Sequence, residues 1–146
     1  MALRRVTDAA TGSGSRVLLD TCVVSYSFKR TPHGERFRPY VEESICVVSF
    51  MTVAELMRWS LSRGWDRARR QDLKVWLNQC VIFEEVNSDL CDAWAIITHQ
   101  GEVSGRKIHC GDAWIAASAI ILDIPLLTNN KADFEGVDGL TLLPPA

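Results

Sequence analysis

Residues 110–134 read CGDAWIAASAIILDIPLLTNNKADF, and the fold is decided there. Asp112 heads a segment that is apolar nearly all round: Ala113, Trp114, Ile115, Ala116, Ala117, Ala119, Ile120 and Ile121. A helix without a polar face belongs in the interior or is packed on both sides. Asp123 ends it. Residues 124–128, IPLLT, then form a short apolar strand with its proline at the first turn-in, where a missing N–H is tolerated. Asn129, Asn130 and Lys131 make a turn, and Asp133 follows in a polar loop. A buried helix feeding a buried strand is the repeating unit of an α/β protein with a mainly parallel sheet.

The same unit recurs upstream. Residues 17–19 form a first strand with Asp20 at its end and Thr21 at the mouth of the next helix. Thr31-Pro32-His33-Gly34 breaks that helix, and Phe37, Tyr40 and Val41 suggest a second helical piece. Ile45–Ser49 is a fully apolar strand. In residues 50–61, Val53, Leu56, Met57 and Leu61 share one helical face. Thr52 is placed to cap that helix, with Glu55 as the reciprocal half of a capping box. Residues 65–80 form an amphipathic helix with Trp65, Ala68, Leu73, Trp76 and Leu77 inward. Residues 81–86 are a third strand. Ser88 caps a helix to about Gln100, with Leu90, Ala93, Trp94 and Ile97 inward. Residues 101–109, GEVSGRKIH, read as a charged turn, and residues 140–143 as a last strand. Right-handed crossovers place helices on both faces of the sheet. Residues 1–15, ending in TGSGS, read as a flexible lead in which Arg4 and Arg5 are free to touch a partner; residues 16–146 form one domain.

Size and composition are consistent with this. A chain of 146 residues buries roughly 70% of the surface its unfolded form exposes, so the core needs no disulfide or structural metal. The five cysteines are odd in number and form no CxxC pair, which removes a zinc knuckle or redox pair and suggests a reducing cytoplasm. No run is apolar enough for a secretory leader or a membrane span. Net charge is -2, against a basic nucleic-acid coat but silent on a local site. Basic residues nevertheless concentrate at Arg58, Arg63, Arg67, Arg69, Arg70 and Lys74.

In an open α/β sheet, ligands bind beyond the carboxyl ends of the strands. Asp20, Glu55, Asp112 and Asp133 all fall at such places. Each has a plain structural reading as well: a turn cap for Asp20, a capping box for Glu55, a helix-start charge for Asp112, a loop acid for Asp133. Together they point elsewhere, because clustered carboxylates either hold protons or hold a cation. With no His/Cys set beside them, the donors are all oxygen and suit Mg2+ or Mn2+. Such an ion serves phosphodiester hydrolysis. Thr128, Asn129 and Asn130 offer hydroxyl and amide groups for phosphate or water, or an ordinary Asx turn. His109 lies near Asp112 and could assist with protons. His33 and His99 show no triad or metal spacing, and neither a GxSxG elbow nor a GxxxxGK[ST] loop is present. The arginine-rich run could meet a phosphate backbone or simply face solvent, and Trp59 beside Arg58 is the aromatic to watch at a partner surface.

Four segments in order carry a family resemblance: VLLDTCVVSY, VVSFMTVAELMRW, the stretch quoted first, and GVDGLTLL. The chain resembles the PIN-domain family, and within it the VapC-type toxins of bacterial toxin–antitoxin pairs, over nearly its whole length. The resemblance implies that Asp20, Glu55 and Asp112 bind Mg2+ or Mn2+, as one or two ions. A fourth acid comes from Asp133, since Asn130 stands where some members carry it. Thr21 and Thr128 are implied close to the metal, with Ser49 in support. Cys22 replaces a frequent Asn and is expected to remove a polar contact; Trp59 replaces a small residue and is expected to alter the groove wall. The family implies cleavage of structured RNA such as tRNA or rRNA, a homodimer, and a small VapB-like antitoxin that forms a heterotetramer or larger complex. Operator DNA is met only through the antitoxin, and no membrane is involved. The implied chemistry is in-line attack of water on phosphorus, leaving 5'-phosphate and 3'-hydroxyl ends. Two rivals stand beside it: a phosphatase with Asp20 as nucleophile, which Cys22 in place of a second acid opposes, and a non-catalytic receiver-like or RNA/protein-binding module.

Overall fold

The structure is a computed structural model and describes residues 14–144. The expected lead at residues 1–15, with Arg4 and Arg5, therefore lies almost entirely outside the described residues. Ser15 is already tied to the sheet, its carbonyl accepting from the Ile45 amide at 2.8 Å.

Five strands form the sheet: β1 (Arg16–Leu19), β2 (Ile45–Ser49), β3 (Val81–Phe83), β4 (Leu126–Leu127) and β5 (Leu142–Leu143). Their order is β3-β2-β1-β4-β5, and every neighbouring pair is parallel. Among the described residues six α-helices accompany them: α1 (Thr21–Lys29), α2 (Arg38–Glu43), α3 (Phe50–Ser62), α4 (Arg67–Leu77), α5 (Ser88–Ser104) and α6 (Cys110–Leu122). The side-chain period of two sorts each strand between two cores. Val17, Leu19, Cys46, Val48 and Leu127 face one core with Val23 and Val24 of α1, Val41 of α2, Leu56 of α3 and Leu73 of α4. Leu18, Val47 and Leu126 face the other, with Leu90 and Ile97 of α5 and most of α6. Strands buried on both faces read as continuous apolar runs, which is why ICVVS was legible.

The α6 helix lies between the sheet and α5, as its sequence demands. Residues 115–119 are all buried, and the run of alanines lets the two helices and the sheet approach closely. Trp114 stacks on Trp94 of α5 at 5.1 Å between centroids and meets Phe50 edge-on.

Several expectations are corrected. The α3 helix is capped by Ser49, whose hydroxyl accepts from the Met51 amide, not by Thr52, and no capping box forms. Its buried stripe runs Thr52, Leu56, Ser60, four residues apart, so Leu61 sits about 100° off the stripe and is 63% exposed. The next helix begins only at Arg67, behind the Asp66 cap, and Ala68 is exposed on its outer side. Asn87, not Ser88, caps α5. That helix runs on to Ser104, because Gly101 continues it and Gly105 in the left-handed region (φ 74) ends it. The charged turn is thus shorter than residues 101–109. Cys91 and Cys110 are exposed, whereas Cys46 and Cys80 are buried. No helix among the described residues is long and apolar enough to cross a membrane.

Because α6 has no spare volume, Ala116→Leu should destabilise the fold by about 1–3 kcal/mol. Chemical denaturation read by tryptophan fluorescence would check this; a loss within a few tenths of a kcal/mol would contradict the packing described.

Candidate active site

A parallel sheet puts all its carboxyl ends on one edge, and each crossover helix begins at that edge. The strand order reverses between β1 and β4, and such a reversal leaves a crevice in which open α/β sheets bind ligands. Asp20 leaves β1 on one side of it and Thr128 leaves β4 on the other.

Asp20 is 5% exposed. Its Oδ1 accepts from the Thr21 amide at 2.8 Å, capping α1. Its Oδ2 accepts from the Thr128 hydroxyl at 2.7 Å and from the Cys22 thiol at 3.4 Å. The Thr128 oxygen also accepts from the Asn130 amide at 3.0 Å, so the loop toward Asp133 is latched to the same carboxylate. A carboxylate offers about four lone-pair positions; three are taken, leaving one on Oδ1. Cys22 therefore supplies a polar contact rather than removing one. Burial, and then the charge of Asp20, push its thiol up to about 12, so it stays protonated and donates.

Glu55 rises from the second turn of α3 toward α6. Its Oε1 is buried without a hydrogen-bond partner, although such atoms are nearly always satisfied. Gly111 makes room for it: a Cβ there would stand 2.9 Å from Oε1. Asp112 follows on the first turn of α6, behind His109, whose Nδ1 accepts from the Gly111 amide at 3.3 Å. Asp133 ends a single 3-10 turn, Lys131–Asp133, and is exposed.

The acids feel one another. Burial raises Glu55, with Asp112 and Asp20 adding to it, while His109 and Arg58 pull the other way. Burial raises Asp112 to about 6, with Asp20 and Asp133 adding. Burial also raises Asp20, against its hydrogen bonds, and Asp133 adds slightly. All four sequence-expected acids thus gather at the crevice. They line it without closing a cage: among the described residues no three Asp, Glu, His or Cys side chains are grouped to hold an ion unaided. Thr21 and Ser49 are committed to the scaffold, Thr21 through a 3.0 Å bond to Thr52 and Ser49 as the α3 cap. Of the basic run, Arg58 is the member that Glu55 feels. Arg63 and Arg69 lie over Trp59 and Trp65, and Trp59, partly buried, packs on the first core.

A family model for the PIN domain matches residues 17–140. The chain belongs to the PIN-domain family. Among PIN-domain relatives it is similar to Ribonuclease VapC1 of Haemophilus influenzae strain R2866, 27% identical over 126 residues, which cover 84% of this chain and 92% of that protein. Two solved structures share the fold. One is VapBC2 from Rickettsia felis bound to a DNA fragment from their promoter, with a TM-score of 0.75 and 20% identity over 87% of this chain and 96% of that one. The other is VapBC-1 from nontypeable Haemophilus influenzae, with a TM-score of 0.72 and 24% identity over 87% and 96%. At those identities the likeness establishes the PIN fold. The four acids named from the sequence come together at the crevice, whereas the sequence did not announce the roles of Gly111 and the Cys22 thiol in their surroundings. A glycine immediately before the site acid was the available signal for the first.

Two measurements follow from this geometry. A carboxyl held at about 6 in the fold, against 3.8 when free, binds protons more readily folded than unfolded. Its contribution to stability is full below the free value and is lost as pH rises through about 6. In EDTA, Asp112→Asn should therefore raise the melting temperature relative to the parent at pH 7.5 and much less at pH 4; equal differences at both would contradict the placement. Gly111→Ala should displace the Glu55 carboxylate while leaving the fold intact. Isothermal titration with Mn2+ would show affinity lower by about 10–100-fold at near-unchanged melting temperature.

Proposed function

We propose that this protein is a Mg2+- or Mn2+-dependent endoribonuclease, the toxin of a type II toxin–antitoxin pair. Its substrate is structured RNA such as tRNA or rRNA. A small VapB-like antitoxin holds it inactive, with operator DNA contacted through that antitoxin. We take the toxin to be a homodimer within the complex. The observation that carries the reading is the buried, unpartnered Oε1 of Glu55 in the crevice that Asp20 and Asp112 also line. Three mutually raised carboxyls are costly unless a cation stands among them. The donors fit such a group: they are all oxygen, and Mg2+ keeps several waters and needs only one or two carboxylates. The names of the VapC1 relative and the VapBC structures point the same way.

Asp20, Glu55, Asp112 and Asp133 would hold one or two ions, directly or through water. When bound, the ion supplies a Lewis acid for the phosphodiester and for charge on the leaving oxygen. The chain does the positioning. Thr128, the Thr21 amide and Cys22 fix the Asp20 carboxylate, and Thr52 holds Thr21 in place. Asn130 keeps the loop against Thr128, so that Asp133 stands at the lip of the crevice. There its carboxylate would take the proton of the attacking water as the new P–O bond forms in line; the bond to the 3'-oxygen breaks, and that oxygen would take up a proton from solvent to leave as the hydroxyl. The two engaged oxygens of Asp20 suit a fixed ligand and not a covalent phosphatase nucleophile.

The purified chain should cut total tRNA or rRNA with Mg2+ or Mn2+ and leave 5'-phosphate and 3'-hydroxyl ends. EDTA should stop it, and Asp112→Asn should slow it by at least about 100-fold. Thr128→Val, which frees Asp20, should slow it by about 10–100-fold. Cleavage that persists in EDTA, or ends carrying 2',3'-cyclic phosphate, would sink the mechanism.

A further inference from the structure

Beside the acids lies a cavity of about 500 Å3, bounded by the last turn of α5, the α5–α6 junction and the loop after Asp133. Asp112, Asp133 and Glu135 line it, and so do Arg106 and Lys107. Both cations are exposed. Among the described residues neither forms an ion pair; the only pairs join Arg38 to Glu35 and Glu42. Three acids on the same walls have thus not captured them.

The Arg106 side chain lies along this cavity. A Cβ at Gly101 would stand 2.8 Å from the Arg106 carbonyl oxygen, so the chain beyond Gly105 folds back tightly on α5 only because residue 101 has none. On the far side, a Cβ at Gly136 would begin 3.7 Å from Arg106 Nη1 and 3.8 Å from its Cδ. The guanidinium therefore reaches from the α5–α6 junction to the loop at Gly136, whose φ of +88 already favours glycine. Gly101 thus allows the fold-back that sets the Arg106 backbone against α5, and the Arg106 side chain runs alongside the loop at Gly136.

An RNA strand entering the crevice brings more phosphates than the one to be cut. Each is repelled by the acids that serve the chemistry, so a cation on the adjoining wall is needed to seat the strand. Arginine suits that task, since its planar fork meets two phosphate oxygens at once. We propose that Arg106, supported by Lys107, holds the RNA phosphate next to the scissile one and so sets the strand's register across the acids. This rests on the ribonuclease reading above and extends it to the path of the substrate. Arg106 is a positioning residue: it lies outside the acid set and acts by binding.

The test uses the full chain, with a short fluorescent single-stranded RNA bound in the Asp112→Asn background so that the strand is not cut. Arg106→Ala/Lys107→Ala should weaken binding by about tenfold and lower the slope of log K against log salt by about 0.7, the value for one single-strand phosphate. Arg106→Lys should recover part of the affinity and the whole slope. In the cleaving protein, the double alanine variant should raise KM with kcat little changed, and Mn2+ affinity and melting temperature should stay the same. If Arg106 merely balances the acids, Mn2+ affinity and the pH profile will move while the salt slope does not, and the proposal is overturned. An unchanged KM and slope also overturn it, even if the variant binds the antitoxin less well. A parent chain that binds RNA with this salt dependence but cuts none would fail the nuclease reading and leave the phosphate arm standing. A parent that binds no RNA would remove both.

Discussion

The Thr128 hydroxyl and the Asp20 carboxylate meet at 2.7 Å where the strand order turns back, and the crevice depends on that contact. On one side the chain builds β1, β2 and β3 outward; on the other it adds β4 and β5. The bond joins the two halves at their carboxyl ends. It also fixes the Asp20 carboxylate and, through the Asn130 amide, anchors the loop that carries Asp133. Buried where β1 and β4 end side by side, it is short and shielded from water, so it is stronger than its surface equivalents.

Around that bond the fold accepts a local cost. Burial raises Asp20, Glu55 and Asp112, and Glu55 keeps an oxygen with no partner. Nothing in the packing of α3 or α6 requires an acid at these positions. The two apolar cores on either face of the sheet offset the expense. Stability is therefore concentrated in the interior of the sheet and helices, while strain is confined to one edge.

The layout was legible because it rests on apolar runs. Residues 45–49 and the helix headed by Asp112 have no polar alternative, and the short strands between helices leave only a parallel sheet. Boundaries were harder. Thr52 and Glu55 match a capping box in sequence, yet tertiary contacts claim both: Thr52 for Thr21, Glu55 for the crevice. The local motif lost because Ser49, one turn earlier, already satisfied the helix. Gly101 looked like a breaker and proved to be a contact surface, which only the fold-back of Arg106 reveals. The acids could be found from their positions after strands, but their mutual effect on protonation is a matter of distance, which spacing along a chain does not encode. Cys22 was misread for the same reason: that a thiol two residues from Asp20 turns back to it is a property of the first turn of α1.

The partners in the bond between Thr128 and Asp20 are separated by 108 positions. Order of synthesis gives this separation a meaning. A chain emerging from the ribosome presents β1, β2 and their helices long before β4 exists, and the crevice has only one wall until residues 126–128 have been made. An amino-terminal fragment that stops before β4 carries Asp20, Glu55 and Asp112 but lacks the Thr128 hydroxyl that fixes Asp20 and the loop that bears Asp133. Assembly of the crevice is therefore a late event in synthesis, coming after β1, β2, β3 and their helices are already available to build most of both cores.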